Sequence, residues 1–290
     1  MSVILVTGAN GQLGSELQLL SKSNKDTWVF SDVDTLDITN LEAVLKAFAD
    51  KKVEFCINCA AYTNVDKAEV DEAMAYKINE LGAENLAKGA AQNGAAFIQV
   101  STDFVFKGDD FMPISESHVT NPISVYGKSK LAGEEAALEN NPKTVIVRTS
   151  WLYSTFGANF VKTMIRFGKE RELLRVISDQ VGTPTYARDL ASAILAIIEK
   201  IQNPEKGAEY DGIYHFSNEG VASWYDFAHA IFELSGATAK LEAIPTTEYP
   251  TPAERPHYSV MKKQKIKDTF GIQIPHWRDS LKACMAELEK

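Results

Sequence analysis

Two stretches of the chain place a tyrosine four residues before a lysine: Tyr126 and Lys130 in "VYGKSK", and Tyr258 and Lys262 in "HYSVMK". On a helix, residues four apart share a face, so such a lysine can stand beside its tyrosine. A free tyrosine titrates near pH ~10 and exchanges protons poorly at neutral pH. A neighbouring ammonium stabilises the phenolate and lowers that value, which makes a proton relay for a developing alkoxide. Spacing alone is weak grounds. With 10 Tyr and 23 Lys in 290 residues, chance supplies about 0.8 such matches, and the bland alternative is the first turn of an ordinary amphipathic helix.

Context selects between them. "VTGANGQLGSEL" follows an apolar run at 3–7 and opens a helical pattern, with Gly8, Gly11 and Gly14 spaced three apart. Gly8 permits a tight turn, Gly11 lets backbone N–H groups approach a pyrophosphate, and Gly14 allows close helix–strand packing. A helix N-terminus adds oriented N–H groups and partial positive charge. Asp32 ends the next apolar run, where a carboxylate accepts bonds from ribose hydroxyls and opposes a 2′-phosphate. No Arg occurs before residue 148, which favours or at least tolerates NADH. Lys22 or Lys25 leaves NADPH open, and "SDVDTLD" offers other carboxylates. Further on, "QVSTDFVF" ends a buried run in Ser101, Thr102 and Asp103, polar groups where a parallel sheet places its chemistry. Tyr126 and Lys130 follow that run, whereas Tyr258 and Lys262 follow a Pro-rich loop.

The elements that must position these groups alternate. Val/Ile/Phe-rich runs at 3–7, 27–32, 53–60, 95–101 and 144–150 read as strands, and 13–22, 40–51 and 72–94 as helices. Asn40 and Asp71 are candidate caps and Gly94 a candidate stop. Fully apolar strands separated by helices imply βαβ units and a Rossmann-like doubly wound parallel sheet. After residue 150 the rhythm changes: a helix is expected at 187–201, a strand in "GIYHFSN", helices in "SWYDFAHAIFELSG", "MKKQKIK" and "SLKACMAELEK". Pro245, Pro250, Pro252 and Pro256 make an irregular loop. The expected division is an NAD(P)-binding domain at 1–150 plus about 187–208, and a smaller α/β substrate-binding domain at about 151–186 plus 209–290.

A net charge of −9 argues against a general nucleic-acid binder. No apolar run has the length of a membrane span, and the N-terminus lacks the basic start of a signal peptide. Three Cys give no disulfide framework and fit the cytoplasm. Cys56 and Cys59 read as small apolar strand residues, since Cys284 is remote and the five His show no ligand spacing.

Taken together, "GANGQLGSEL", "INCAAYTNVDKAE", "STDFVFKG", "YGKSKLAGE", "RTSWLY" and "DQVGTPTYARDLA" resemble the extended short-chain dehydrogenase/reductases and, within them, the dTDP-4-dehydrorhamnose reductase family. The resemblance runs to "RPHYS" at 255–259. It implies NADPH- or NADH-dependent reduction of the C4 ketone of dTDP-4-dehydro-L-rhamnose, with Thr102, Tyr126 and Lys130 catalytic. Gly8, Asn10, Gly11, Gln12, Leu13, Gly14, Asp32, Asp37, Ile38, Ala60, Ala61 and Tyr62 would join Tyr126 and Lys130 at the cofactor. Thr102, Asp103, Trp151 and Arg255 would meet the sugar nucleotide, Trp151 by indole stacking and Arg255 at the diphosphate. The bland readings are core, loop salt bridge and Asx turn. Some family members bridge a dimer through magnesium. Here Glu16 is present, but Arg188 stands where a second Glu is sought, so no metal is assigned and a monomer or weak homodimer is expected. Glu16 otherwise reads as a first-turn acid on the helix dipole.

Two other classes compete. A non-catalytic NADP-binding subunit resembling the methionine adenosyltransferase β subunit would tolerate a damaged triad, and this triad is complete. A nucleotide-sugar epimerase or dehydratase shares the scaffold, but a dehydratase would want Glu after Asp103, where Phe104 stands.

Overall fold

The computed structural model describes residues 1–289. In chain order the first half contains β1 (Val3–Thr7), α1 (Gln12–Ser21), β2 (Thr27–Ser31), α2 (Leu41–Lys51), β3 (Phe55–Asn58), α3 (Val65–Ala68), α4 (Glu72–Tyr76), α5 (Gly82–Gln92), β4 (Ala96–Thr102), α6 (Val125–Asn140) and β5 (Thr144–Thr149). Then come β6 (Leu152–Tyr153), α7 (Phe160–Glu170), β7 (Leu173–Ile177), β8 (Val181–Gly182), β9 (Thr185–Tyr186), α8 (Ala187–Gln202), β10 (Gly212–His215), β11 (Ala222–Ser223), α9 (Trp224–Ser235), β12 (Lys240–Ile244), α10 (Gln264–Phe270) and α11 (Trp277–Leu288).

Six strands form one parallel sheet in the order β10-β5-β4-β3-β1-β2. Successive strand residues point to opposite faces. Ile4, Val6, Ile57, Ile98 and Val147 therefore pack with Leu13, Leu17, Leu190 and Ile194 of α1 and α8. Leu5, Cys56, Phe97 and Ile146 pack the other way, against Val44, Phe48 and Leu86 of α2 and α5. Helices on both faces explain why these strands read as continuous apolar runs. The strand order reverses between β1 and β3, and the carboxyl ends there frame the cleft.

Several local expectations meet corrections. The strand in "GIYHFSN", assigned to the smaller part, is the large sheet's edge strand beside β5. Its pairing is a long-range event that local pattern does not encode. The single helix expected at 72–94 is interrupted by a π-helical turn at Lys77–Leu81. Asn40 caps α2 by accepting from Ala43 N–H, but Asp71 makes no cap bond and instead accepts from the Tyr62 hydroxyl. "MKKQKIK" is only partly helical, since α10 starts at Gln264, and Tyr258 lies in an extended bridge with Val181. That pair does not share a helix face. A second core, including Tyr153, Val161, Leu174, Phe227, Trp277 and Leu281, gathers α7, α9 and α11.

Candidate active site

A cleft of about 840 Å³ runs across the carboxyl ends of β1, β3 and β4. Gly8, Gly11, Gln12, Leu13 and Gly14 line one end with Asp32, Asp37 and Ile38; Ala60 and Ala61 form a wall. Thr102, Asp103, Tyr126, Lys130 and Trp151 line the other end. Gly8 has φ +64°, and an added Cβ would stand 2.5 Å from Ala60 N. A Cβ on Gly14 would stand 2.5 Å from Gly8 O. Both positions need glycine for close approach. No side chain caps the first turn of α1, which leaves that end of the helix to an anion. Asn10 is not part of the lining; its N–H donates to Asp32 at 2.9 Å, tying the glycine loop to the end of β2. The Asp32 carboxylate also accepts from Val33 N–H at 2.8 Å. Asp37 accepts from the backbone and hydroxyl of Thr39, which hold its pKa low.

Tyr62 departs from the expectation that it faces the cofactor. Its N–H donates to Asn79 and its hydroxyl to Asp71, so the ring joins a small cluster with Ala68, Ala75 and Val125. Asn79 sits in the π-helical turn and is buried. It also donates to Ser129 of α6 at 2.9 Å. The extra residue of a π turn re-aims side chains and recurs at functional sites.

Tyr126 and Lys130 lie on α6, whose N-terminus is capped by Ser124 accepting from Gly127 N–H. Gly127 lets the helix approach the turn at Asp103–Val105: an added Cβ would stand 2.3 Å from Phe104 O. The Tyr126 ring meets Phe104 edge-on at 5.4 Å. Burial pushes the phenol up to about 12, the neighbouring Thr102 hydroxyl works against that rise, and Asp103 adds to it. The expected lowering by Lys130 is absent. Lys130 instead donates to Val100 O at 2.7 Å, and burial brings it down to about 8 against the pull of Glu134 and Cys59. Thr102 donates to Asp103 Oδ1 at 3.0 Å. Asp103 is 3% exposed, and burial raises it to about 6, opposed by the hydroxyls of Ser259 and Thr102.

Two other expectations change. Trp151 has φ +46°, and its indole stacks on Trp224 with centroids 3.6 Å apart. One face is thus taken by protein, which removes that face from any stacking on a sugar. Arg255 is held by Asp66, with contacts of 3.0 and 2.8 Å, and is not part of the cleft lining. The loop salt bridge is what this structure contains.

Glu16 is fully buried and lies beyond the first turn of α1, so it is not the first-turn acid of the bland reading. It accepts from Ser154 at 2.6 Å and from Arg188 at 2.9 Å. A magnesium ion there would face a guanidinium in place of a second carboxylate, so these residues do not fit the metal. Among the described residues, no group of three His, Cys, Asp or Glu is placed to hold one. Cys56, Cys59 and Cys284 are free thiols. Cys59 lies in the cleft wall, where burial pushes it up to about 12.

Sequence reasoning missed Thr149, at the end of β5, and Ser150, Gly157 and Ala158 beyond it, which line the cleft. It also missed the buried ladder beneath it. Thr7 donates to Asn58 at 2.6 Å, and Asn58 to Gln99 at 2.8 Å. The signal for the ladder was present as polar residues ending β1 and β3 and as Gln99 inside the otherwise apolar start of β4.

A doubly wound sheet carrying a glycine-rich helix start and a strand-end Thr beside Tyr-x-x-x-Lys defines an extended short-chain dehydrogenase/reductase. All of the chain, residues 1–290, matches the family described as the RmlD substrate binding domain. The chain belongs to that family. It is 44% identical to a dTDP-4-dehydrorhamnose reductase of Aggregatibacter actinomycetemcomitans, over 100% of both chains. Among solved structures it is similar to a dTDP-4-dehydrorhamnose reductase from Clostridium acetobutylicum, with a TM-score of 0.94, 46% identity and coverage of 99% of this chain and 100% of that one. A dTDP-4-dehydrorhamnose reductase from Bacillus anthracis, solved in complex with NADP, gives a TM-score of 0.92 and 40% identity, covering 99% and 100%.

Proposed function

We propose that the protein reduces the C4 ketone of dTDP-4-dehydro-L-rhamnose to dTDP-L-rhamnose with NADPH or NADH. The observation that carries this is the single cleft joining the open end of α1 to Thr102, Tyr126 and Lys130, in a chain of this family.

The residues divide the work. When bound, the dihydronicotinamide supplies the hydride. Gly8, Gly11 and Gly14 let the backbone approach the diphosphate, and Asp32 receives the adenosine ribose. Asp37, Ile38, Ala60 and Ala61 complete that wall, with Gln12 and Leu13 at the helix start. Thr102 orients the ketone oxygen. Tyr126 donates the proton to the developing alkoxide at its hydroxyl. A phenol raised to about 12 is protonated at neutral pH, the state a proton donor needs before reduction. Lys130 holds the nicotinamide ribose as an ammonium. Asp103 and Trp151 border the sugar, and Arg255 takes part at the diphosphate only by leaving Asp66.

The proposed division assigns 1–150 and 187–208, extended by the strand at 212–215, to the cofactor, and most of the remainder to the sugar nucleotide. The internal engagement of Glu16 supports the reading of a monomer or weak homodimer. A cytoplasmic setting is supported by three free thiols. No helix among the described residues is long and apolar enough to cross a membrane.

The test is oxidation of NADPH or NADH by the purified protein with dTDP-4-dehydro-L-rhamnose. Turnover to dTDP-L-rhamnose is expected; a folded protein that binds cofactor and turns nothing over favours the non-catalytic alternative.

A further inference from the structure

Behind the catalytic helix lies a buried ionic group that the chemistry above does not use. Glu134 sits on α6 one turn beyond Lys130 and is 1% exposed. Arg148, on β5, is 2% exposed and donates Nε and Nη2 to the Glu134 carboxylate at 2.9 and 2.6 Å. Ser101, which pairs in register with Arg148 across β4 and β5, donates its hydroxyl to the same carboxylate. Ser101 immediately precedes Thr102. One carboxylate therefore joins the catalytic helix to the strand end that carries Thr102.

Isolating charges this deeply costs several kcal/mol per ion unless they are paired. An apolar filling of the same volume would serve packing equally well or better, so the presence of the pair asks for another role. Two cations stand near Glu134: Arg148, which it contacts directly, and Lys130, whose ammonium it favours. Few other groups act on Lys130. Tyr126 shares its helix face, Cys59 faces it from the end of β3, and Asp103 lies beyond Thr102 on β4. Both Cys59 and Tyr126 are raised to about 12 by burial and are neutral at pH 7. Behind Arg148, His215 on β10 is held down to about 3, first by burial and then by Arg148 itself, and is neutral as well.

We infer that Glu134 is a positioning residue which, braced by Arg148 and Ser101, keeps Lys130 in its ammonium form at neutral pH and so sets the alkaline limit of cofactor binding. This rests on the assignment of Lys130 to the nicotinamide ribose. The sign is fixed by the chemistry. An ammonium is lost as pH rises through its pKa, and removing the nearby negative charge brings that loss to lower pH.

The experiment titrates NADPH affinity by fluorescence across pH in wild type, Glu134→Gln, Ser101→Ala and Lys130→Met. Wild type is expected to lose affinity on an alkaline limb near pH 8. In Glu134→Gln the limb moves down by about one unit or more. Ser101→Ala, which keeps the charge, leaves the limb in place. If Glu134→Gln strands Arg148 and does not fold, the double variant Glu134→Gln/Arg148→Met removes the pair together; because the lost guanidinium opposed the carboxylate, a downward move smaller than that of Glu134→Gln is expected. Loss of fold strength alone would scale affinity at every pH without moving the limb. A limb unmoved in the folded Glu134 variant, or absent from wild type below about pH 10, overturns the inference. If Lys130→Met keeps both affinity and limb, the assignment of Lys130 itself fails.

Discussion

Trp151 lies flat on Trp224, with ring planes 8° from parallel. Gly182 closes in on the same indole: a Cβ there would stand 2.8 Å from Trp151 Cε2. Stacked aromatic pairs contribute about 0.5–1.5 kcal/mol beyond their burial, which here offsets part of the cost of a non-glycine residue at positive φ. Trp224→Ala and Gly182→Ala should each raise KM for the sugar nucleotide by up to about tenfold. Fluorescence titration should show NADPH affinity unchanged. An unaltered KM in Trp224→Ala would show that the indole's pose does not matter.

Tyr126→Phe removes the proposed proton donor and keeps the edge-on contact with Phe104. Turnover should fall by about 10²–10⁴-fold, while NADPH binding stays near wild type. Tyr258→Phe serves as control, because Tyr258 lies in an extended segment. Equal losses in the two variants would contradict the choice of Tyr126.

Asp32 bonds the backbone of Asn10 and Val33 at the end of β2. Asp32→Ala removes the carboxylate proposed to meet the adenosine ribose and to oppose a 2′-phosphate. The ratio of kcat/KM for NADPH over NADH should rise, by about tenfold. A ratio that stays put would place the ribose elsewhere along "SDVDTLD".

Asp103 is buried with its pKa raised from 3.8 to about 6. A raised carboxyl means that the folded state binds the proton more tightly than the unfolded chain does. Stability from this group is therefore present below about pH 4 and declines as pH rises to about 6. Asp103→Asn should flatten that decline and unfold at higher temperature near pH 7, with a gain of roughly 1–3 kcal/mol. Its turnover should fall, since a charge kept at a stability cost marks a working site. Thermal unfolding of both proteins between pH 4 and pH 7 decides it; parallel curves would reject the idea.

Much of this architecture was readable because the physics is local. Residues 3–32 contain an apolar strand, a glycine turn, a helix start and a second strand in sequence. Each step is encoded by neighbours: Gly8 and Gly14 stand where any side chain would collide with Ala60 or with the loop itself. Tyr126 and Lys130 were readable once their place after Thr102 was considered. What stayed hidden depends on distant partners. Nothing in "GIYHFSN" announces pairing with β5, and nothing in "EAMAYKINEL" announces a π turn. Tyr62 and Arg255 were placed in the site by the resemblance, yet Asp71 and Asn79, 9 and 17 positions from Tyr62, and Asp66, 189 positions from Arg255, hold them elsewhere. Glu16 read as a helix-dipole acid because its partners, Ser154 and Arg188, lie well over a hundred positions away.

Helix α1 is fastened to the segment following β5 at two points. Glu16 accepts from Ser154, and Gln12 accepts from Asn159 at 3.0 Å. The start of α1 lines one end of the cleft through Gln12, Leu13 and Gly14, while the same following segment lines the other end through Trp151. The helix is thus a crossbar between the two ends of the cleft, tied to 154–159 by side-chain bonds. A shift of α1 at one end would be passed to the wall of the other, and any coupling of binding at the two ends would be equal in free energy in both directions.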